Sequence, residues 1–437
     1  MAPPRSPFRR RRAWSFTALA TVALLTLVPA AAADTQDPAP DGQLRTYALL
    51  TDGPVELTPP GKERPLKELL AQARTGPRPG PGTRADPGMG PARAASTGRD
   101  DMAGYECREQ AAAFTGEGWG KSRFVTCQAH NLTVAKVACW LLWCRVVGTA
   151  NVEVADIQRT RNGARQIDVV QVLDKWKLDG DIATMPLSAE VTCAARQGFD
   201  PCKTRDGHGG PQTQTVGEWA AEGLTSRYFS FTLPETGGLG QALISYADLA
   251  WHFWLPVGGV PGAERADGPN SGVRCDNAPY IIKTWAGVGC VFPWVTETQE
   301  ISATDYPESA AHILRAQHHP EETLPPAPGK NLPGAPGTTP LHRVADEDTI
   351  DKHRKLSIAT CLEWFPNYAH EGLDCDEYPF ASTLEGADKS HKNYSVDPIP
   401  DTDNRGAGGK MSAFYTGRRI LGSDFTHDPF YVEVTAR

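Results

Sequence analysis

Ten cysteines constrain this chain more than any other feature: Cys107, Cys127, Cys139, Cys144, Cys193, Cys202, Cys275, Cys290, Cys361 and Cys375. The number is even, and every one lies beyond residue 100. In an oxidising compartment such a set reads as five disulfides. A structural zinc site is the weaker reading. No Cys-x2-Cys pair occurs, and Cys139-x4-Cys144, the nearest to ligand spacing, lies in the apolar run 137–147.

The N-terminus supplies that compartment. Arg5, Arg9, Arg10, Arg11 and Arg12 precede an apolar run, 13–28, interrupted only by Ser and Thr. Pro29 and a string of alanines follow, with Ala31 and Ala33 set as the small residues of a cleavage site. This is the pattern of a secretory signal peptide over 1–33. Its apolar core is shorter than the roughly 20 residues a spanning helix needs. The mature protein is therefore expected outside the cell, with no membrane attachment once the signal is cleaved.

Charge argues against one function class. The whole chain carries −8, and the signal holds five arginines and no acid, so the mature chain is near −8 − 5 = −13. High-affinity nucleic-acid binders depend on many cationic phosphate contacts. A chain this acidic is not one of them, although an enzyme that must release its product tolerates weak binding.

Composition divides the chain. Segment 34–100 is dense in Pro, Gly, Ala and Arg and is expected to be a disordered linker or pro-segment. A short helix is expected within it at 65–74, where Leu66, Leu69 and Leu70 recur at helical spacing. From 101 to 295 tryptophan and valine appear, and 151–157, 167–173 and 228–233 alternate as half-buried strands do. A β-rich, sandwich-like accessory domain holding four of the disulfides is expected there. The cluster Trp251, Phe253 and Trp254 reads as core, and His318-His319 reads as loop. The remainder, 296–437, contains a helical segment (306–317), a second proline-rich tract (320–340) and the chemistry.

Three carboxylates, Asp374, Asp376 and Glu377, fall within four residues. Pro379 biases Tyr378 towards extended backbone, so the acids sit on or just after a strand. Further on, Asp403 or Asn404 suits a helix N-cap ahead of Met411, Phe414 and Tyr415 at near-helical spacing. The layout is strand, loop, strand, helix, with acids at one end and Asp-Asn-Arg at the other. Carboxylate and amide oxygens are what hard divalent cations take. The bland reading is a solvated acidic face.

The run Asp376-Glu377-Tyr378-Pro379-Phe380-Ala381 resembles the Asp-Glu-(Trp/Tyr)-Pro-x-Ala core of the NucA/NucB deoxyribonucleases. Glu385-Gly386 resembles the Glu-Gly pair that follows it there, and Asp403-Asn404-Arg405-Gly406-Ala407-Gly408 matches the family's run residue for residue. Tyr306 to Ile313 resembles its entry helix, and Arg354 and Ser357 fit its Arg-x-x-Ser. The blocks keep the family's order over about 301–434. Three departures stand out: Thr383 where some members carry Cys, Ala387 for a second glycine, and the 320–340 tract as an insertion.

The resemblance implies a small ββα-metal type nuclease domain; with the β-rich, disulfide-bonded N-terminal domain read from the strand pattern, the chain is expected to be α+β. The resemblance also implies a secreted bacterial endonuclease that cleaves DNA, with RNA left open, using Mg2+ or Mn2+. Asp376 would be the base, Asn404 the metal ligand and Arg405 the phosphate contact. Glu377 and Glu385 would serve a second metal or water. Cys361 and Cys375 are expected to be linked and to brace the strand carrying Asp376. His312 reads as a structural histidine and His391 as an exposed loop residue. Lys410, Arg418 and Arg419 read either as a local basic patch or as a solvated face. The alternatives are a wall- or polysaccharide-binding protein with a degenerate nuclease domain, and a secreted nuclease toxin.

Overall fold

The computed structural model describes residues 45–51, 55–74, 102–141, 143–256, 264–281, 287–423 and 426–436. The expected signal peptide, 1–33, lies outside them. The first region begins with β1 (Arg45–Thr51), β2 (Arg64–Pro65), α1 (Leu66–Arg74), α2 (Gly104–Arg108), β3 (Trp119–Ser122), β4 (Val125–Trp140) and β5 (Trp143–Arg159). It continues with β6 (Gln166–Gly180), β7 (Pro186–Ala195), β8 (Lys203–Thr204), β9 (Gln212–Thr215), α3 (Val216–Ala221) and β10 (Thr225–Thr232). It ends with β11 (Ser245–Trp254), β12 (Arg265–Asp267), β13 (Ser271–Asp276) and β14 (Gly289–Val291).

These strands make two sheets. One has the order β1-β4-β5-β6-β10-β8, with β2 beside β5 and β3 beside β4. The other has the order β14-β13-β11-β7-β9, with β12 beside β11. Period-two alternation builds the core between them. Leu132 and Val134 of β4, Val152 and Val154 of β5, and Ile167 and Val169 of β6 meet Leu187 and Val191 of β7 and Leu249, Trp251 and Phe253 of β11. The sandwich-like expectation holds, and Trp251 and Phe253 are core residues as expected.

The outer face of the first sheet is covered as well. Val125, Cys127, Ala129 and Ile157 pack against Cys107 and Ala113, while Ala135 and Val137 pack against Leu49 of β1 and Leu69 of α1. That double burial is why both faces of β4 are almost wholly buried. It also corrects the expectation for 34–100. Within that segment Arg45–Thr51 pairs along β4, from Arg45 opposite Cys139 to Thr51 opposite Thr133, and the helix expected at 65–74 forms as Leu66–Arg74. Seven residues with three buried apolar side chains and a full ladder outweigh the segment's Pro/Gly composition.

All ten cysteines are paired: Cys107–Cys127, Cys139–Cys144, Cys193–Cys202 and Cys275–Cys290 in the first region, and Cys361–Cys375 in the second. Among the described residues no helix is long and apolar enough to cross a membrane.

The second region comprises β15 (Glu297–Ser302), α4 (Pro307–His318), β16 (Leu341–His342), α5 (Glu347–Trp364), β17 (Leu373–Tyr378), β18 (Ser395–Pro400) and α6 (Asp401–Gly417). A short pair, β19 (Gly422–Ser423) and β20 (Thr426–His427), precedes the last strand, β21 (Pro429–Thr435). β21 runs parallel to β15 and antiparallel to β16. The chain as a whole is therefore mixed α+β, with its β-rich part first.

The 320–340 tract is an internal loop of this region. Leu324 bridges Val396 of β18, the Val432 amide donates to the Gly334 carbonyl, and the Tyr378 hydroxyl donates to the Pro333 carbonyl at 2.8 Å. Gly334 has φ +112°, and a Cβ there would collide with that hydroxyl.

A buried ion cluster fastens the second region to the first. Asp428, 3 % exposed, receives Arg274 at 2.6 Å and Arg123 at 3.1 Å. Arg419, fully buried just beyond α6, donates to Asp276 of β13 at 2.6 and 2.9 Å. The Arg419 carbonyl in turn accepts from Arg123 at 3.2 Å and Arg274 at 3.0 Å. Burial works against the Asp428 charge, but the two guanidiniums overcome it and hold the carboxyl well below its ordinary range. Arg419 is thus neither basic patch nor solvated face. Arg418 faces buried Glu297 at 3.7 Å, and of the three cations considered only Lys410 is exposed.

Candidate active site

The site is built on the β17–β18 hairpin and the helix that follows it directly. Asp376 lies opposite Asp397, Glu377 opposite Val396 and Tyr378 opposite Ser395. Successive strand residues point to opposite faces. Asp374, Asp376 and Tyr378 therefore share one face with Asp397 and Ser395, while Cys375 and Glu377 take the other. The packing agrees. Tyr378 belongs to the cluster with Ala310 and Ile313 of α4 and Met411 and Phe414 of α6, whereas Cys375 and Val396 join Cys361 and Leu356 of α5.

Asp376 is 8 % exposed. One oxygen, Oδ2, accepts from His312 Nδ1 at 2.8 Å, and His312 Nε2 accepts from the Ser395 hydroxyl at 2.7 Å. Both roles follow from the acceptor-only carboxylate, which fixes the imidazole tautomer. His312 is 1 % exposed and fully hydrogen-bonded, as a structural histidine should be. Its partner, however, is the candidate base, a link that sequence spacing did not reveal. The other Asp376 oxygen has no protein partner among the described residues. One turn on from His312, Arg315 pairs with Asp397 at 2.9 Å. α4 thus contacts both facing carboxylates of the hairpin.

α6 opens with Asp401, preceded by Pro400. The expected cap role of Asp403 goes elsewhere. Its carboxylate accepts the Glu308 and Ser309 amides at 3.0 and 3.1 Å, capping α4, whose own N-cap residue Tyr306 offers no side-chain cap. The close approach of the two helices explains Gly406, where a Cβ would strike the Tyr306 ring. Asn404 lies on the packed side of α6, in step with Ala407, Met411 and Tyr415. Its amide has no hydrogen-bond partner among the described residues. Arg405 is exposed and pairs with Asp374 at 3.0 Å and Asp401 at 3.4 Å.

Two expected site residues do not join this group. Glu377 turns to the α5 face and accepts the Ala381 amide at 3.2 Å. Burial, with a smaller push from the Asp376 charge, raises its carboxyl above the ordinary value against the lowering pull of its hydrogen bonds and of Arg354. Glu385 binds His342 through the backbone amide at 2.9 Å and the ring at 2.8 Å. Its charge is felt by Tyr378 and by Tyr415, near the far end of α6. Glu385 is thus engaged with His342, and no hydrogen bond joins it to Asp376 or Asn404 among the described residues.

The Asn404 amide oxygen, without a protein partner among the described residues, is a donor of the kind a hard divalent cation takes. Elsewhere, His319, Glu321 and Glu322 approach one another closely enough to share an ion, but all three are exposed loop residues. His391 is exposed, as expected. Cys361–Cys375 ties α5 to the strand carrying Asp376.

The hairpin, the helix and the acids all lie in the C-terminal region, and it is there that comparison finds a match. Residues 337–426 match the family model described as deoxyribonuclease NucA/NucB, consistent with a NucA/NucB-type nuclease domain in this region. The matched stretch contains Asp376, Glu377, Glu385, Asn404 and Arg405, while the helix bearing His312 lies before it. No curated protein and no solved structure matches the chain.

Proposed function

We propose that the protein is an exported endonuclease that hydrolyses phosphodiester bonds of extracellular DNA with the help of a divalent cation, Mg2+ or Mn2+. The hairpin followed by α6 is read as a ββα-metal arrangement, with residues 101–295 as its scaffold. The observation that carries the reading is the half-satisfied Asp376 carboxylate. One oxygen is held by His312, and the other is free for a water.

In this mechanism Asp376 takes the proton from the attacking water. His312, fixed by Ser395, keeps the carboxylate oriented without itself touching substrate. Asn404 would hold the cation, which when bound would neutralise charge developing on the phosphate, leaving the free Asp376 oxygen for the water. Arg405, steadied by Asp374, offers an exposed planar fork to a non-bridging phosphate oxygen. Local cationic contacts of this kind reconcile an acidic chain with an anionic substrate.

The test is plasmid cleavage by the oxidised protein with Mg2+ or Mn2+, with EDTA, and with Asp376→Ala. Metal-dependent cleavage that the substitution lowers by about 10²–10⁴-fold, the usual weight of a general base, is expected. A folded, oxidised protein that cuts nothing would favour the binding-protein reading, and an Asp376→Ala variant with full activity would overturn the mechanism.

A further inference from the structure

The β4–β5 ribbon ends in Trp140-Leu141-Leu142-Trp143, closed at its base by the Cys139–Cys144 disulfide. Trp140, Leu141 and Trp143 are 58, 54 and 57 % exposed. The two tryptophans are cross-strand partners, hence on one face, opposite the buried cystine. Among the described residues, β1 pairs along β4 as far as Cys139 and β6 along β5 as far as Gly148, and of their neighbouring strands only short β2 reaches Trp143. Large apolar side chains gathered at a covalently clamped tip are not the scattered exposure of an ordinary surface. None of these residues belongs to the candidate active site.

The charge around the tip identifies what it meets. Arg45 stands opposite Cys139, Arg64 opposite Cys144, and Arg145 follows Cys144. With Lys62 and Lys67 they make five cations near this end, against three acids, Glu56, Glu63 and Glu68, among the described residues. Next along the ribbon, Lys136 and Asp181 neutralise each other at 2.7 Å. A cationic collar on a chain of net charge −8 complements an anionic surface.

We infer that the Trp140–Trp143 tip is a peripheral membrane-docking device: tryptophans and leucines enter the interface of an anionic bilayer while Arg45, Arg64 and Arg145 contact its headgroups. Tryptophan favours that boundary because its ring is apolar and its N–H is polar. An apolar anchor combined with a basic patch gives the two-signal binding that neither supplies alone. Contact is with one leaflet and involves no spanning segment.

The test is flotation of the exported, oxidised full chain with vesicles of phosphatidylcholine and phosphatidylglycerol in equal parts, beside vesicles of phosphatidylcholine alone. Binding to the anionic vesicles is expected, weakened by salt. Trp140→Ser with Trp143→Ser should lower it by about tenfold or more. Arg45→Gln with Arg145→Gln should weaken binding to the anionic vesicles selectively. All variants should keep the five disulfides and their activity on soluble DNA, which separates a docking defect from a folding one. Equal flotation of wild type and the tryptophan variant overturns the inference, as does no flotation with either vesicle. So does self-association through the tip, or retention on lipid-free cell wall, without vesicle binding.

Discussion

The two regions of the molecule are stabilised by different means. The first is a sandwich in which apolar side chains of both sheets interlock, one sheet is also covered on its outer face, and four disulfides close the structure. The second has a smaller core, part of it supplied by the 320–340 loop, and relies on ionic and capping contacts between elements distant in sequence. Two of its most buried charges, Arg419 and Asp428, find their main counter-ions in the first region. The part with a recognisable family pattern is therefore not the part that carries its own stability.

The largest effect should come from breaking that dependence. Asp428→Ala strands Arg123 and Arg274 without their shared carboxylate, and about 3–5 kcal/mol should be lost in urea unfolding. Residues 296–437 alone should lack a cooperative transition. A fragment that unfolds cooperatively with near-parent stability would break the comparison outright. The site offers a sharper contrast. Asn404→Ala should lower cleavage on the order of 10²-fold or more, the scale of losing one charge-stabilising group, and should raise the metal concentration needed. Glu377→Gln, on the opposite face, should leave activity within about tenfold. Equal losses would mean that the two faces of the hairpin act as one site.

The face assignment also shows where sequence reasoning reached and where it stopped. The disulfide-rich β region, the alternating strands and the hairpin-then-helix layout were all legible, because each is written in local spacing. Adjacent acids looked like one cluster because Asp376 and Glu377 are neighbours in the chain. Strand geometry sends them to opposite sides, and only α5, packed on one of those sides, shows where Glu377 ends. Asp403 capping α4, Arg419 buried against Asp276, and the His312–Asp376 contact join residues 64 to 143 positions apart. No periodicity encodes such pairings. β1 was hidden for another reason: its seven residues lie within a segment whose average composition is that of a linker.

A smaller effect probes the sandwich. Asp156, 1 % exposed, accepts from Gln171 at 2.8 Å beside His130, whose ring stacks on Trp251 at 3.7 Å. Burial pushes the Asp156 carboxyl up to about 7 and His130 down to about 3. The Asp156 carboxyl titrates higher in the folded than in the unfolded chain, so ionising it disfavours folding. Stability is full below its unfolded value near 4 and declines as pH rises towards about 7. Asp156→Asn should therefore stabilise by roughly 2–4 kcal/mol at about pH 8 and by little at about pH 4. No difference between the two pH values would remove the sandwich's polar core from the comparison.

The smallest expected effect lies in the second region. The hydrogen bond that the His342 ring donates to Glu385 raises the histidine above its ordinary value. That contribution is complete below the unfolded histidine value and is lost as pH rises through the raised one. Glu385→Gln should cost about 1 kcal/mol at low pH and less once His342 is neutral. Thermal melts at pH 5 and pH 9 would show the difference, and a cost that grows with pH would mean the pair acts through something other than the histidine charge.

The ion cluster behind α6 also bears on how such a protein is inherited. A gene fusion that moved the last third of this chain onto another carrier would bring Arg419 and Asp428 without Arg123, Arg274 and Asp276. Recombination points between the two regions are thus closed by electrostatics rather than by the active site. Lineages that keep this nuclease region would keep the sandwich with it, and the three partner residues would vary together with the two they neutralise.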